Sequence, residues 1–340
     1  MAPLKIVFLD AASVGADISL EPIAQLGAFT SYPATKPQEV AQRIADAEVI
    51  ITNKVAIFQP EIDAAPKLKL ICVAATGTDN VDSAYALSKN IPVKNVAGYS
   101  TDSVAQLTFA HLLHLITHIF YYNHYVHSGA YAQSLTATHL GPCFTQLKGK
   151  RIGIIGMGNI GQKVAEIAAA FGMEPIYFST SGKNHNQAYP SVSLHELLQT
   201  SDVVTIHAPL NDATRNLIAI EQLEMMKPSA ILINMGRGGV VNEADLVKAL
   251  NEKIIAGAGV DVFNKEPISQ GHPFYGIRDQ QRLLLTPHIA WTSVEARTLL
   301  VERITKNIRT FLETVYKHCF STTYLIKLFV LSGLGENCLK

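Results

Sequence analysis

With 340 residues, 48% of them hydrophobic and 16% charged, the chain is long enough for two domains and too apolar to be disordered. Lysine plus arginine and aspartate plus glutamate both number 28, a balance that argues against a protein that holds nucleic acid by neutralising phosphates. No apolar run reaches the ~18 residues of a membrane span, the opening Met-Ala-Pro-Leu-Lys leads into a strand rather than a signal segment, and four cysteines without metal-ligand spacing suit a reducing cytoplasm.

Short apolar runs alternate with helical patterns, the rhythm of βαβ units around parallel sheets. In chain order the pattern predicts a strand over 5–9, a helix near 37–45 and a strand over 49–52. A helix near 60–65, a strand over 68–74, a helix over 81–89 and a strand near 93–96 complete a doubly wound unit. One long helix is expected from Thr101 to about Tyr125, then a turn-rich surface connection over 128–149. A second series follows, with strands over 151–155, 175–178, 203–207, 230–234, 256–262 and 283–286. Helices fit 161–171, 194–200, 220–226, 243–251 and 293–315. The expectation is an α/β chain with two doubly wound parallel-sheet domains.

Gly156-Met157-Gly158-Asn159-Ile160-Gly161 follows one of these strands and opens a helix. Gly156 permits a tight turn, Gly158 lets backbone amides approach a pyrophosphate, and Gly161 lets helix and strand pack closely. The helix N-terminus adds partial positive charge. A carboxylate for the ribose hydroxyls is expected at the end of the next strand, where the chain instead reads Ser179-Thr180-Ser181-Gly182-Lys183. Such a strand end does not repel a 2′-phosphate, so both NAD(H) and NADP(H) remain open.

Ligands of open α/β sheets bind beyond the carboxyl ends of strands. His207-Ala208-Pro209, Arg237, Asp261 with Glu266, and His288 all follow predicted strands there. An arginine, a carboxylate and a histidine suit reduction of a ketone beside a carboxylate. Arginine holds the anion with two prongs, histidine gives and takes the hydroxyl proton, and a bonded glutamate stabilises imidazolium. Taken singly, each residue is also an ordinary loop charge; their joint placement favours the chemistry. His111, His114 and His118 lie on one face of the long helix, with His124 and His127 beyond. No carboxylate stands among them, so they read as a helix packed at a domain or subunit interface rather than a metal site.

These motifs resemble the D-isomer-specific 2-hydroxyacid dehydrogenase family, from about Lys5 to Leu312. Ala75-Thr76-Gly77-Thr78-Asp79-Asn80-Val81-Asp82 is similar to the family's substrate loop, residues 156–161 to its dinucleotide loop, and Leu232-Ile233-Asn234-Met235-Gly236-Arg237 to the segment carrying its arginine. Gly259-Val260-Asp261 with Glu266-Pro267 resembles the segment of its nicotinamide-side aspartate and its glutamate, and Thr286-Pro287-His288 that of its acid/base histidine. Thr52-Asn53-Lys54 and His288-Ile289-Ala290-Trp291 look most like glycerate dehydrogenases, also called hydroxypyruvate reductases.

The resemblance implies a Rossmann-type nucleotide domain over 101–287, inserted into a flavodoxin-like substrate domain of 1–100 and 288–318, and commonly a homodimer. It implies catalysis by His288, Glu266 and Arg237. It puts the cofactor on Gly156, Gly158, Asn159, Ile160, Gly161, Ser179, Thr180, His207, Pro209, Met235, Gly236, Arg237 and Asp261. The substrate falls to Lys54, Ala75, Thr76, Gly77, Arg237 and His288. The expected reaction interconverts a small 2-keto acid and its D-2-hydroxy acid, foremost hydroxypyruvate and D-glycerate, with glyoxylate also fitting. Rival readings are a D-lactate dehydrogenase-type activity and a non-catalytic NAD(H)-sensing corepressor, which has no need of a proton relay. The stretch 319–340 departs from the family's usual ending and reads as an atypical tail.

Overall fold

The computed structural model describes residues 3–183, 186 and 188–331, with side chains described as far as residue 314 of the last helix. The chain divides into two compact units, Met1–Tyr99 with Val294–Lys340, and Ser100–Ser293.

The first unit runs β1 (Lys5–Phe8), α1 (Glu21–Ala24), β2 (Ala28–Ser31), α2 (Val40–Ile44), β3 (Val49–Thr52), α3 (Gln59–Asp63), β4 (Leu70–Val73), α4 (Ser83–Ser88) and β5 (Val93–Lys94). Its five strands are parallel, in the order β2-β1-β3-β4-β5. Every residue of β3 and β4 is buried, which is why their sequences are continuous apolar runs rather than alternations. The edge strand β2 was not among the expected elements. It pairs only with β1 and buries none of its four residues, so no apolar period marks it.

The second unit begins with α5 (Thr101–Thr117) and α6 (Ile119–His127), where one helix was expected. His118 takes a left-handed backbone, φ 52°, and the two axes bend by 63°. The apolar pattern runs through the break, so periodicity alone does not reveal it. The sheet follows as β6 (Arg151–Ile155), α7 (Asn159–Ala170), β7 (Glu174–Phe178), α8 (Leu194–Thr200), β8 (Val203–Ile206), α9 (Ile220–Met225), β9 (Ile231–Asn234), α10 (Glu243–Asn251), β10 (Gly257–Val260) and β11 (Leu283–Leu285). All six strands are parallel, ordered β11-β10-β9-β8-β6-β7. The chain starts at β6, moves out to β7 and returns to β8 on the other side. The crevice at such a reversal is where this class of sheet takes its ligands. Ile155, Val204, Ile206 and Leu232 pack in one core of this unit; Ile152, Ile154, Ile233 and the α5 residues Phe109 and Leu112 pack in another.

The chain re-enters the first unit at Val294 rather than at 288. Amides of Ile289 and Ala290 donate to Asp261 at the end of β10, which keeps that loop with the second sheet. The helix α11 (Val294–Leu331) then buries Ala296, Leu300, Val301, Ile304 and Ile308 along one stripe. The helix backbone continues to Leu331, so the tail expected over 319–340 is helical in its first part, and 332–340 lie outside the described residues. Among the described residues no single helix is long and apolar enough to cross a membrane. The bent α5–α6 pair passes that test only jointly, and seven α5 residues are buried.

Candidate active site

The turn after β6 is shaped by its glycines. Gly156 has φ 95°, and a Cβ there would lie 2.9 Å from the His207 carbonyl. A Cβ on Gly161 would lie 2.2 Å from the Gly156 carbonyl oxygen, so only glycine lets α7 sit this close to the turn. A Cβ on Gly158 would meet nothing within 4 Å. Gly158 and Asn159 are exposed and Ile160 is half-buried, so the start of the twelve-residue α7 opens on accessible space. At the end of β7 the Ser179 hydroxyl is buried without a hydrogen-bond partner among the described residues, beside a half-buried Thr180. A bare glycine cradle, a helix N-terminus and an orphan hydroxyl fit a dinucleotide.

After β8, His207 Nε2 pairs with the Thr205 hydroxyl at 2.9 Å, and burial of the ring pulls its pKa down to about 3. That imidazole is neutral at physiological pH. Pro209, two residues on, is exposed. After β9, the buried Asn234 side chain accepts the Gly236 amide at 3.1 Å and donates to the Arg237 carbonyl at 3.1 Å. This clamp folds Met235-Gly236-Arg237 into a tight loop. A Cβ on Gly236 would lie 2.8 Å from the Ala208 carbonyl, so the β8 and β9 loops are neighbours. Arg237 is half-buried, with Nη1 on the Gly236 carbonyl at 2.9 Å.

His288 Nδ1 donates to Glu266 Oε2 at 2.6 Å, with 21% and 29% of the two side chains exposed. Glu266 Oε1 also accepts the Phe263 amide at 3.0 Å. The pair is therefore oriented from one side, leaving Nε2 as the other ring nitrogen. His288 has φ 55°, a left-handed backbone for a residue with a Cβ, and its amide lies 2.8 Å from the Asp261 carbonyl. Asp261 is fully buried. Its carboxylate accepts the Thr286 hydroxyl at 2.6 Å and the amides of Ile289 and Ala290 at 2.9 Å each. Burial raises its pKa above the ordinary carboxylate value, opposed by those hydrogen bonds and by the nearby His288. Asp261 thus anchors the histidine's loop.

In the first unit, Lys54 follows β3 and residues 75–77 follow β4, so both stand at the carboxyl edge of adjacent strands. Lys54 and Thr76 are exposed; Ala75 and Gly77 are half-buried. Asp10, buried after β1, accepts the amides of Asn53, Lys54 and Val55 at 2.8, 2.6 and 3.2 Å. Thr76 is tied by its hydroxyl to the Val96 carbonyl and by its own carbonyl to Asn95.

Glu266 and His288 thus meet directly, on the same sheet edge as the glycine loop and the Arg237 loop. Asn234, Thr286, Asp10 and His111 were not singled out for these loops. Asn234 and Asp10 each sit at a strand end, a place that draws attention, but only the folded chain shows what their side chains hold. His111 proves to be buried inside the second unit, its Nε2 3.1 Å from the Thr286 hydroxyl.

Residues 109–290 match the D-isomer specific 2-hydroxyacid dehydrogenase, NAD binding domain family. The chain is 36% identical over 308 residues to the glycerate dehydrogenase of Methylorubrum extorquens, covering 90% of this chain and 96% of that one. It is 35% identical over 318 residues to the hydroxypyruvate reductase of Blautia hydrogenotrophica, covering 91% and 97%. Among solved structures, an acyclic imino acid reductase in complex with NADPH and D-Arg superposes with a TM-score of 0.81 at 29% identity, covering 92% of this chain and 98% of that one.

Proposed function

The chain belongs to the D-isomer-specific 2-hydroxyacid dehydrogenase family, an oxidoreductase acting on CH–OH groups with NAD(H) or NADP(H), and we propose that it reduces hydroxypyruvate to D-glycerate, with glyoxylate as a second substrate. The observation that carries this is the 2.6 Å pair of His288 and Glu266 on the sheet edge that also bears the Gly156–Gly158–Gly161 turn and Arg237.

Arg237 holds the substrate carboxylate or keto oxygen; within the first unit, Lys54 with Ala75, Thr76 and Gly77 forms a strand-end surface suited to a carboxylate. When bound, the dihydronicotinamide supplies a hydride to the keto carbon. His288 releases its Nε2 proton to the carbonyl oxygen, so a C–H and an O–H bond form as the C=O π bond is lost. Glu266, already on Nδ1, stabilises the ring's positive charge before transfer and keeps the ring oriented after it. Asp261 and the buried Met235 and Gly236 would stand on the nicotinamide side, and Ser179 and Thr180 would take the adenosine ribose.

The chain acts on a small acid in the cytoplasm, without nucleic acid or membrane, as a homodimer. The exposed apolar residues Phe120, Leu135, Leu140 and Phe144 around α6 support self-association. The test is loss of NADH and NADPH absorbance with hydroxypyruvate, glyoxylate, pyruvate and phenylpyruvate. The reading holds if hydroxypyruvate has the highest kcat/KM. A preference for pyruvate would move the chain to the lactate type.

A further inference from the structure

Three side chains from separate parts of the second unit form one hydrogen-bonded line. The Thr286 hydroxyl lies 2.6 Å from Asp261 Oδ1 and 3.1 Å from His111 Nε2. His111, from the middle of α5, and Asp261 are 1% and 0% exposed. Asp261 gives its remaining acceptor capacity to the amides of Ile289 and Ala290, the two residues after His288.

An inventory of protons orients the line. A carboxylate that accepts two amides is an acceptor only, and a hydroxyl has one hydrogen. The short contact directs that hydrogen from Thr286 to Asp261. Thr286 therefore accepts from His111, which must carry its proton on Nε2. The lone pair is then on Nδ1, which is buried without a partner among the described residues and packed on β10, where a Cβ on Gly259 would lie 2.7 Å from it. That space beside Gly259 offers no acceptor for a second proton, so the geometry suits a neutral donor.

The strained backbone at His288 needs surroundings that over-determine it. Asp261 supplies the amide contacts, Thr286 fixes the rotamer of Asp261, and His111 fixes which way the Thr286 hydroxyl points. We propose that His111 is a positioning residue: through Thr286 and Asp261 it holds the loop that aims His288. This rests on the reading of His288 as the proton donor.

The test compares His111→Leu, which cannot donate, with His111→Gln, whose Nε2 donates from nearly the same place. Turnover and hydrogen–deuterium exchange of the Ile289 and Ala290 amides are read in each. The Leu variant should lose about tenfold in kcat, the worth of one buried hydrogen bond, with the Michaelis constant for NADH within about twofold of wild type. Exchange at both amides should quicken by a similar factor, and the Gln variant should restore both. If the Leu variant does not fold, His111→Asn against Gln makes the same comparison, because the shorter amide does not reach Thr286. Unchanged exchange and kcat without a donor would overturn the proposal, as would a well-folded Gln variant that fails to restore them. A wild type that turns over no keto acid, while exchange follows this pattern, would instead refute the reductase reading and leave standing only the hold of His111 on the loop of Ile289 and Ala290.

Discussion

His288 stands 22 residues from Glu266, and the 2.6 Å contact makes them one unit. General acid catalysis contributes about 10²–10⁴-fold, so His288→Ala should lower kcat by that range while NADH still binds. A fall of less than about threefold would place the proton donor elsewhere. Arg237→Lys keeps the charge but loses the planar fork. The keto-acid Michaelis constant should rise by about tenfold or more, with cofactor affinity little changed. Near-normal kinetics would mean that a distant positive charge is enough. At the end of β7 the chain reads Ser179-Thr180-Ser181-Gly182-Lys183, with no carboxylate in that stretch to repel a 2′-phosphate. NADPH should therefore serve at least as well as NADH, and Ser179→Asp should swing the preference toward NADH. A wild type favouring NADH by more than about a hundredfold in kcat/KM, roughly 2.7 kcal/mol, would contradict this.

At the scale of elements, what was legible follows from burial. β3, β4, β8 and β9 are buried on both faces, and their runs of Val, Ile and Leu mark them without any periodicity. The glycine spacing is legible because Gly156 and Gly161 each answer a separate steric demand while Gly158 leaves the helix start bare, and the strand ends were legible because apolar runs stop there abruptly. The break at His118 and the exposed edge β2 leave no such trace. Neither does the Asn234 clamp, since a side chain that bonds its own loop has no sequence period.

Helix α5 carries a consequence of its own. Burial, with a smaller contribution from His114, pulls His111 from its ordinary 6.5 down to about 4. Between these values the unfolded chain takes up a proton that the folded chain refuses. The stability tied to His111 is thus complete above pH ~6.5 and is lost as the pH falls toward ~4. The full loss is about 3 kcal/mol. Asp10 and Asp261, both raised by burial, act in the opposite sense, but they are common to wild type and variant. Urea unfolding at pH 7 and 4.5 should therefore show His111→Gln losing about 2–3 kcal/mol less than wild type on acidification. Equal acid losses in the two proteins would show that His111 does not carry the effect.

For the whole molecule, the segment after α5 carries the exposed apolar surface on which the proposed homodimer rests. Leu135 and Leu140 are 102% and 90% exposed, and Ile119, Phe120, Val126 and Phe144 are more than half exposed. They do not lie on a loose loop. His139 stacks on Tyr125 at 3.7 Å and bonds the Tyr121 hydroxyl at 3.0 Å. The Tyr122 and Tyr131 hydroxyls donate to the carbonyls of Pro142 and Ala137 at 2.8 Å. The loop is thus fixed by its own polar contacts while its apolar side chains face outward, an arrangement that costs solvation in a monomer and little ordering entropy on association. A second copy of the chain is the partner that the proposed homodimer requires. Light scattering coupled to size exclusion should give twice the 37.0 kDa chain mass at micromolar concentration. Leu135→Asp combined with Leu140→Asp should shift it to the monomer mass. Because both side chains are already in water in the isolated chain, the far-ultraviolet spectrum should stay that of wild type. A monomeric wild type, or a double variant that keeps the dimer mass, would assign these residues to another partner.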